Sequence, residues 1–171
     1  MHQRSVKFDG FRRDDGLWDI EAHLVDTKDQ DYPLSSGLRK PGEAVHDMWV
    51  RVTIDDKMNI LEAHACSDAT PYPGYCDTTP PDYSRIVGLN LFQGFLRAVK
   101  EMFGDTRGCA HLSELLMFLP TAALQTFASV VLDNDDSGHK PYQLDRYHAL
   151  VSNSETVQRY YPRWYRNQNP G

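Results

Sequence analysis

Leu17-Trp18-Asp19-Ile20-Glu21-Ala22-His23-Leu24-Val25-Asp26 alternates apolar and polar side chains. Trp18, Ile20, Ala22 and Leu24 fall on one side and Asp19, Glu21 and His23 on the other, the period of a half-buried β-strand. The pattern returns from His46 to Ile54, where Met48, Val50, Val52 and Ile54 share a face opposite Asp47, Trp49, Arg51 and Thr53. Asp55-Asp56-Lys57 is a short turn, and Ile60 to Cys66 reads as a third strand with Leu61, Ala63 and Ala65 inward, so the pair forms a hairpin. Downstream the spacing changes to steps of three and four. Ile86, Leu89, Phe92, Leu96, Val99 and Phe103 predict one helix, stopped by Gly104. Leu112, Leu115, Leu116 and Leu119 predict a second, kinked or interrupted at Pro120 and continued by Phe127, Val130 and Val131. Helices this apolar must cover a sheet face, which predicts an α+β fold: a small antiparallel sheet of about three strands with helices on one side.

The connecting segments complete this outline. Residues 1–16 are polar and rich in Arg and Asp, and residues 27–44 read as a long loop. Between Cys66 and Asp82 stand Pro71, Pro73, Gly74, Pro80 and Pro81, a second irregular loop, which contains Cys76. The acidic run 133–138 reads as a turn, since no Glu follows at the distance a calcium loop requires. The expected organisation is one domain over 1–132 and a basic-aromatic tail over 133–171. The tail interleaves Arg146, Arg159, Arg163 and Arg166 with Tyr147, Tyr160, Tyr161 and Trp164. Such a tail is expected to dock on its own domain or on a partner subunit, making a homo-oligomer.

With 171 residues and a formal charge of −6, the chain suits a globular domain and argues against non-specific nucleic-acid binding. No apolar run approaches the roughly 20 residues of a membrane helix, and the first residues lack the apolar core of a signal peptide. A cytoplasmic location is therefore expected, with no membrane partner. Three cysteines, Cys66, Cys76 and Cys109, make a disulfide framework improbable and favour free or ligating thiols.

The candidate chemistry gathers in Gly108-Cys109-Ala110-His111-Leu112-Ser113-Glu114. A thiol at a helix start meets unpaired amides and the positive end of the helix dipole, which favour thiolate. His111 and Glu114 stand one helical turn apart, and thiolate with neutral imidazole is the donor set of zinc and of iron–sulfur clusters. Cys76 is the natural second sulfur. His111 with Glu114, or His23 with His64 and Asp47, also form possible proton-transfer sets.

Three motifs, residues 17–28, His46-Asp47-Met48-Trp49 and residues 108–116, resemble a bacterial family, the domain of unknown function 2889 family, over roughly residues 10–132. A more distant likeness is to iron–sulfur scaffolds of the IscU/NifU type and the related SufE-like layout, which implies strands, a cysteine-bearing turn, a helix, then a cysteine opening a second helix. That likeness implies Asp47, Cys76 and Cys109 as ligands. It departs at Val45, where the first scaffold cysteine would fall, and at Gly108, which replaces a histidine, so His46 or His111 would complete a different metal site.

Together these features predict a zinc- or iron-binding domain with Cys109, Cys76, His111 and Asp47 at the metal, open to a small-molecule substrate. One alternative is a metal-free small-molecule enzyme in which His111 and Glu114 act as acid and base. The other is an accessory protein that docks through its tail.

Overall fold

The computed structural model describes residues 1–128, 138, 140, 141 and 143–167. The chain divides into two compact units, Met1–Thr126 and Phe127–Gly171. Val130, Val131, Tyr142, residues 133–137 of the acidic turn and the expected boundary at 132/133 lie outside the described residues.

The first unit is an antiparallel sheet in the order β1-β2-β5-β6, formed by β1 (His2–Arg12), β2 (Trp18–Lys28), β5 (Ala44–Ile54) and β6 (Ile60–Ala69). Two three-residue strands, β3 (Tyr32–Leu34) and β4 (Gly37–Arg39), make a separate hairpin within the segment read as a loop. The alternation in β2 and β5 holds: Ile20, Ala22, Leu24, Met48, Val50, Val52 and Ile54 are buried. The sheet has one strand more than expected, because residues 1–16 contain β1. On the face it shares with the buried row of β2 stand His2, Arg4, Val6, Phe8 and Gly10, opposite Lys28, Asp26, Leu24, Ala22 and Ile20, and only Val6, itself 41% exposed, and Phe8 carry an apolar signal. Leu61 is 43% exposed rather than inward. A bulge places it between Ile60, paired with Ile54, and Glu62, paired with Thr53, and the extra residue turns outward.

Helix α1 spans Phe95–Phe103, shorter than the periodicity implied. Pro80–Ile86 is a 3-10 segment instead. Gly88 and Gly94 then adopt positive φ of 88° and 70°, which breaks any continuous helix from Ile86. The buried face of α1 is accordingly Phe95, Val99 and Phe103, while Leu96 is exposed. Helix α2, Ala110–Ala128, runs through Pro120. It lies along β1: Arg4 meets Glu114, Phe8 packs edge-on against Phe118 at 6.2 Å, and Gly10 lies against Thr126. From Arg4 to Gly10 a strand advances ~20 Å, and from Glu114 to Thr126 a helix advances ~18 Å, so the two elements stay in step. A Cβ on Gly10 would fall 1.9 Å from Thr126 Oγ1 and 2.6 Å from its Cβ, so glycine permits this close approach.

In the second unit, α3 (Glu155–Tyr160) is capped by Ser154, whose hydroxyl accepts the Val157 amide at 3.2 Å. Leu144 and Val157 are buried, and Arg159 and Arg163 lie over the neighbouring Tyr160 and Trp164 rings. Among the described residues, no helix is long and apolar enough to cross a membrane.

Candidate functional site

At one end of the sheet the inward row changes from aliphatic to polar. After Leu24 the next inward residue of β2 is Asp26, and before Met48 the preceding inward residue of β5 is His46, its register partner. Asp26 is 2% exposed. A buried carboxylate is tolerated only when paired and hydrogen-bonded. Arg4, the opposite residue on β1, supplies the pairing: its Nε donates to Oδ1 and its Nη2 to Oδ2, each at 2.8 Å. The same guanidinium donates from Nη1 to Glu114 at 2.8 Å. His46 Nδ1 lies 3.0 Å from Asp26 Oδ2, His111 Nε2 lies 3.8 Å from the same oxygen, and His2 Nε2 lies 3.3 Å from Oδ1. The His46 and His111 rings face each other with centroids 3.9 Å apart. Asp26, His46 and His111 thus form a cluster whose ligand atoms all lie within 4.8 Å of one another.

Burial alone would push the Asp26 carboxyl up, but the Arg4 hydrogen bonds and charge outweigh it and hold it below the usual carboxylate range. Burial pushes His46 down against the opposing pull of Asp26. It pushes His111 down as well, and the neighbouring His46 and Arg4 add to that. Burial thus favours the neutral form of both imidazoles, and Arg4 is the cation that pairs with Asp26. Neutral imidazole with a lone pair is the form that binds a metal or accepts a proton.

The opening of α2 is fixed from below by Tyr83, a buried residue of the 3-10 segment stacked on Phe103 at 4.3 Å. Its hydroxyl donates to the Cys109 carbonyl at 2.8 Å and lies 2.8 Å from the Ser113 hydroxyl. Cys109 stands just ahead of the helix, and its carbonyl accepts the Ser113 amide at 2.9 Å. Its Sγ lies 4.0 Å from His111 Nδ1 and 3.9 Å from Met48 Sδ. A cleft of about 520 Å³ opens beside the cluster, lined by His46, Met48, Tyr72, Tyr75, Cys76, Cys109 and His111 among others.

Of the residues expected at a site, Cys76, Cys109 and His111 share this cleft. Asp47 does not join them. It lies on the other sheet face, where His23 Nε2 meets its Oδ1 at 2.7 Å and the His23 ring stacks on Trp49 at 3.5 Å. Cys66, opposite Trp49, and His64, opposite Arg51, line a second cleft of about 410 Å³ on that face. Glu114 forms its ion pair with Arg4, and only its charge reaches His111. Asp26 and Arg4 were not singled out by sequence. The signal that marks them is an acid and a base at inward positions of otherwise apolar or alternating strands.

An α+β domain with a carboxylate–imidazole cluster at the sheet end is the class of protein these features define. The family model for a protein of unknown function, DUF2889, matches residues 2–125, and the chain belongs to that family. Comparison with curated proteins and with solved structures gave no match.

Proposed function

We propose that the chain binds one divalent metal ion, zinc or iron, through Asp26, His46 and His111, and presents it to a small molecule in the adjoining cleft. The observation that supports this reading is the convergence of three ligand atoms from β2, β5 and α2 within 4.8 Å. Two donors held ~2.1 Å from a tetrahedral ion stand ~3.4 Å apart. The distances of 3.0 Å from Asp26 to His46 and 3.8 Å to His111 bracket that value. Two imidazoles and one carboxylate are a donor set that zinc and ferrous iron both accept, and three protein ligands leave positions open for water or substrate. A carboxylate offers about four lone-pair directions, so Asp26 is able to keep Arg4 while it binds an ion. In this reading Cys109 lies against the Nδ1 edge of His111, the place of an outer partner that orients a ligand. A metal held this way acts as a Lewis acid or activates bound water.

Elemental analysis after reconstitution with zinc or ferrous iron tests the proposal. The expected content is about one equivalent per chain, lost in His46→Ala and His111→Ala and retained in Cys66→Ser. A folded protein that takes up no metal, or histidine variants that keep the full complement, would overturn it.

A second reading is favoured by the Cys109–His111 contact at 4.0 Å with Asp26 beyond the other ring nitrogen. Thiol, imidazole and carboxylate in that order are the parts of a metal-free nucleophilic site. Activity that survives chelators and disappears on alkylation of Cys109 distinguishes it from the metal reading.

A further inference from the structure

We infer that the ligand of this site is a small ring-bearing carboxylate, bound with its carboxylate at the metal and its ring in the cleft. The inference rests on the metal reading above and adds what the cleft walls select. Its lining is Met48, Pro71, Tyr72, Tyr75, Cys76, Thr79 and the Gly108–Ala110 turn, with the cluster residues His46 and His111 in its wall. No Lys, Arg, Asp or Glu is among these residues, so the ligand's body inside the cleft carries no charge.

Flat apolar and aromatic walls suit a ring. Tyr72 and Tyr75 are 52% and 80% exposed, large apolar surfaces at a cleft mouth that a bound ring covers. Met48 adds a polarizable thioether, a favourable neighbour for an aromatic edge. The wall that carries the tyrosines is braced. The Ser36 hydroxyl donates to the Pro71 carbonyl and Arg39 to the Thr70 carbonyl. The Tyr72 carbonyl accepts the amides of both Tyr75 and Cys76. A volume of about 520 Å³ falls in the range of small-molecule pockets and admits a ring with a short side chain.

The head group follows from charge. Asp26 and Glu114 are the two acids that Arg4, one base, pairs by hydrogen bonds, and an imidazole that gives its lone pair to an ion adds no charge. A divalent ion brings the cluster to a net single positive charge. A monoanionic oxygen donor neutralises it, and a carboxylate is a donor of that charge that a ring can carry into the cleft.

Cobalt(II) substitution gives a direct readout, because its visible ligand-field spectrum reports its coordination. Cobalt-loaded full-length protein is titrated with benzoate, acetate and benzylamine. The expected result is that benzoate perturbs the spectrum saturably, about tenfold more tightly than acetate, through burial of the ring, and that benzylamine leaves it unchanged. The Tyr72→Ala/Tyr75→Ala double variant should weaken benzoate to the level of acetate without changing cobalt affinity. Stoichiometric cobalt with equal benzoate and acetate affinity, or with binding of benzylamine in place of benzoate, overturns this inference alone. Failure to bind cobalt overturns the metal reading and this inference with it.

Discussion

Asp26 is deeply buried yet ionised, and its neighbours show what substitution would disturb. In Asp26→Asn, Arg4 keeps Glu114 but retains at most one bond at residue 26, to the neutral amide oxygen, and loses the other bond and the charge. A hydrogen bond to a charged partner contributes ~1.5–3 kcal/mol. Because Arg4 remains a third exposed and is partly solvated, urea denaturation of Asp26→Asn should show a loss of about 1–3 kcal/mol. An Arg4→Gln/Asp26→Asn double variant should lose less than the sum of the single changes, as expected for partners in contact. Strict additivity would show that the pair is not coupled. The histidines set the pH dependence. His46 and His111 are depressed in the fold, so below their unfolded pKa near ~6.5 the unfolded chain binds more protons than the folded one. Their stabilising contribution is complete above that pH and is lost as pH falls through their lower folded values. Thermal unfolding of metal-free protein should therefore show the melting temperature falling from pH 7 to pH 5. His46→Gln/His111→Gln should flatten that slope, and an unchanged slope would locate the titration elsewhere. Cys109 and His111 are legible in the sequence because a thiol and an imidazole at a helix start are conspicuous. Asp26 is not, because a strand end normally carries a polar residue and burial is a property of the assembled sheet.

Among the elements, β1 was the least legible and is the most instructive. On the face it shares with the buried row of β2 it holds His2, Arg4 and Gly10 beside Val6 and Phe8. The first two serve the polar cluster and the third admits α2, so the apolar alternation survives at two positions only. A strand that breaks its own pattern at a site is what functional constraint produces. By contrast β2 and β5 carry full alternation through the centre of the core and were plain from the sequence. Ile86, Leu89 and Phe92 keep a helical spacing that predicts a longer first helix, while Gly88 and Gly94 turn the chain and shorten it. Close packing of α2 on β1 gives a sharp test. Gly10→Ala drives a methyl into Thr126, whose Cβ stands only 2.6 Å from the new atom. Overpacking of this kind costs about 1–3 kcal/mol, read as a lower urea midpoint with unchanged slope. Partial restoration in the double variant by Thr126→Ala, which removes the Oγ1 and Cγ2 at 1.9 and 2.3 Å but keeps the Cβ, would locate the clash, and an unaffected midpoint in the single variant would contradict the packing.

Across the whole molecule, the family match ends at residue 125 and the first compact unit at Thr126, so sequence and contacts delimit the same piece. Every member of the Asp26 cluster lies inside it. The second unit has its own small core around Leu144 and Val157, and its Asp145 accepts the Ser152 amide at 2.7 Å. Val157→Ala removes buried methyl groups there and should lower stability by ~1–3 kcal/mol. Metal content should stay at the wild-type value, and loss of metal in this variant would place part of the site beyond the first unit.

X-ray absorption at the metal edge of zinc- or iron-loaded protein reads the coordination shell itself. The expected shell is nitrogen and oxygen only, at ~2.0–2.2 Å with imidazole outer-shell scattering, and it disappears in His46→Ala. A shell dominated by sulfur at ~2.3 Å, or one unchanged by His46→Ala, would contradict the assignment of the ion to Asp26, His46 and His111.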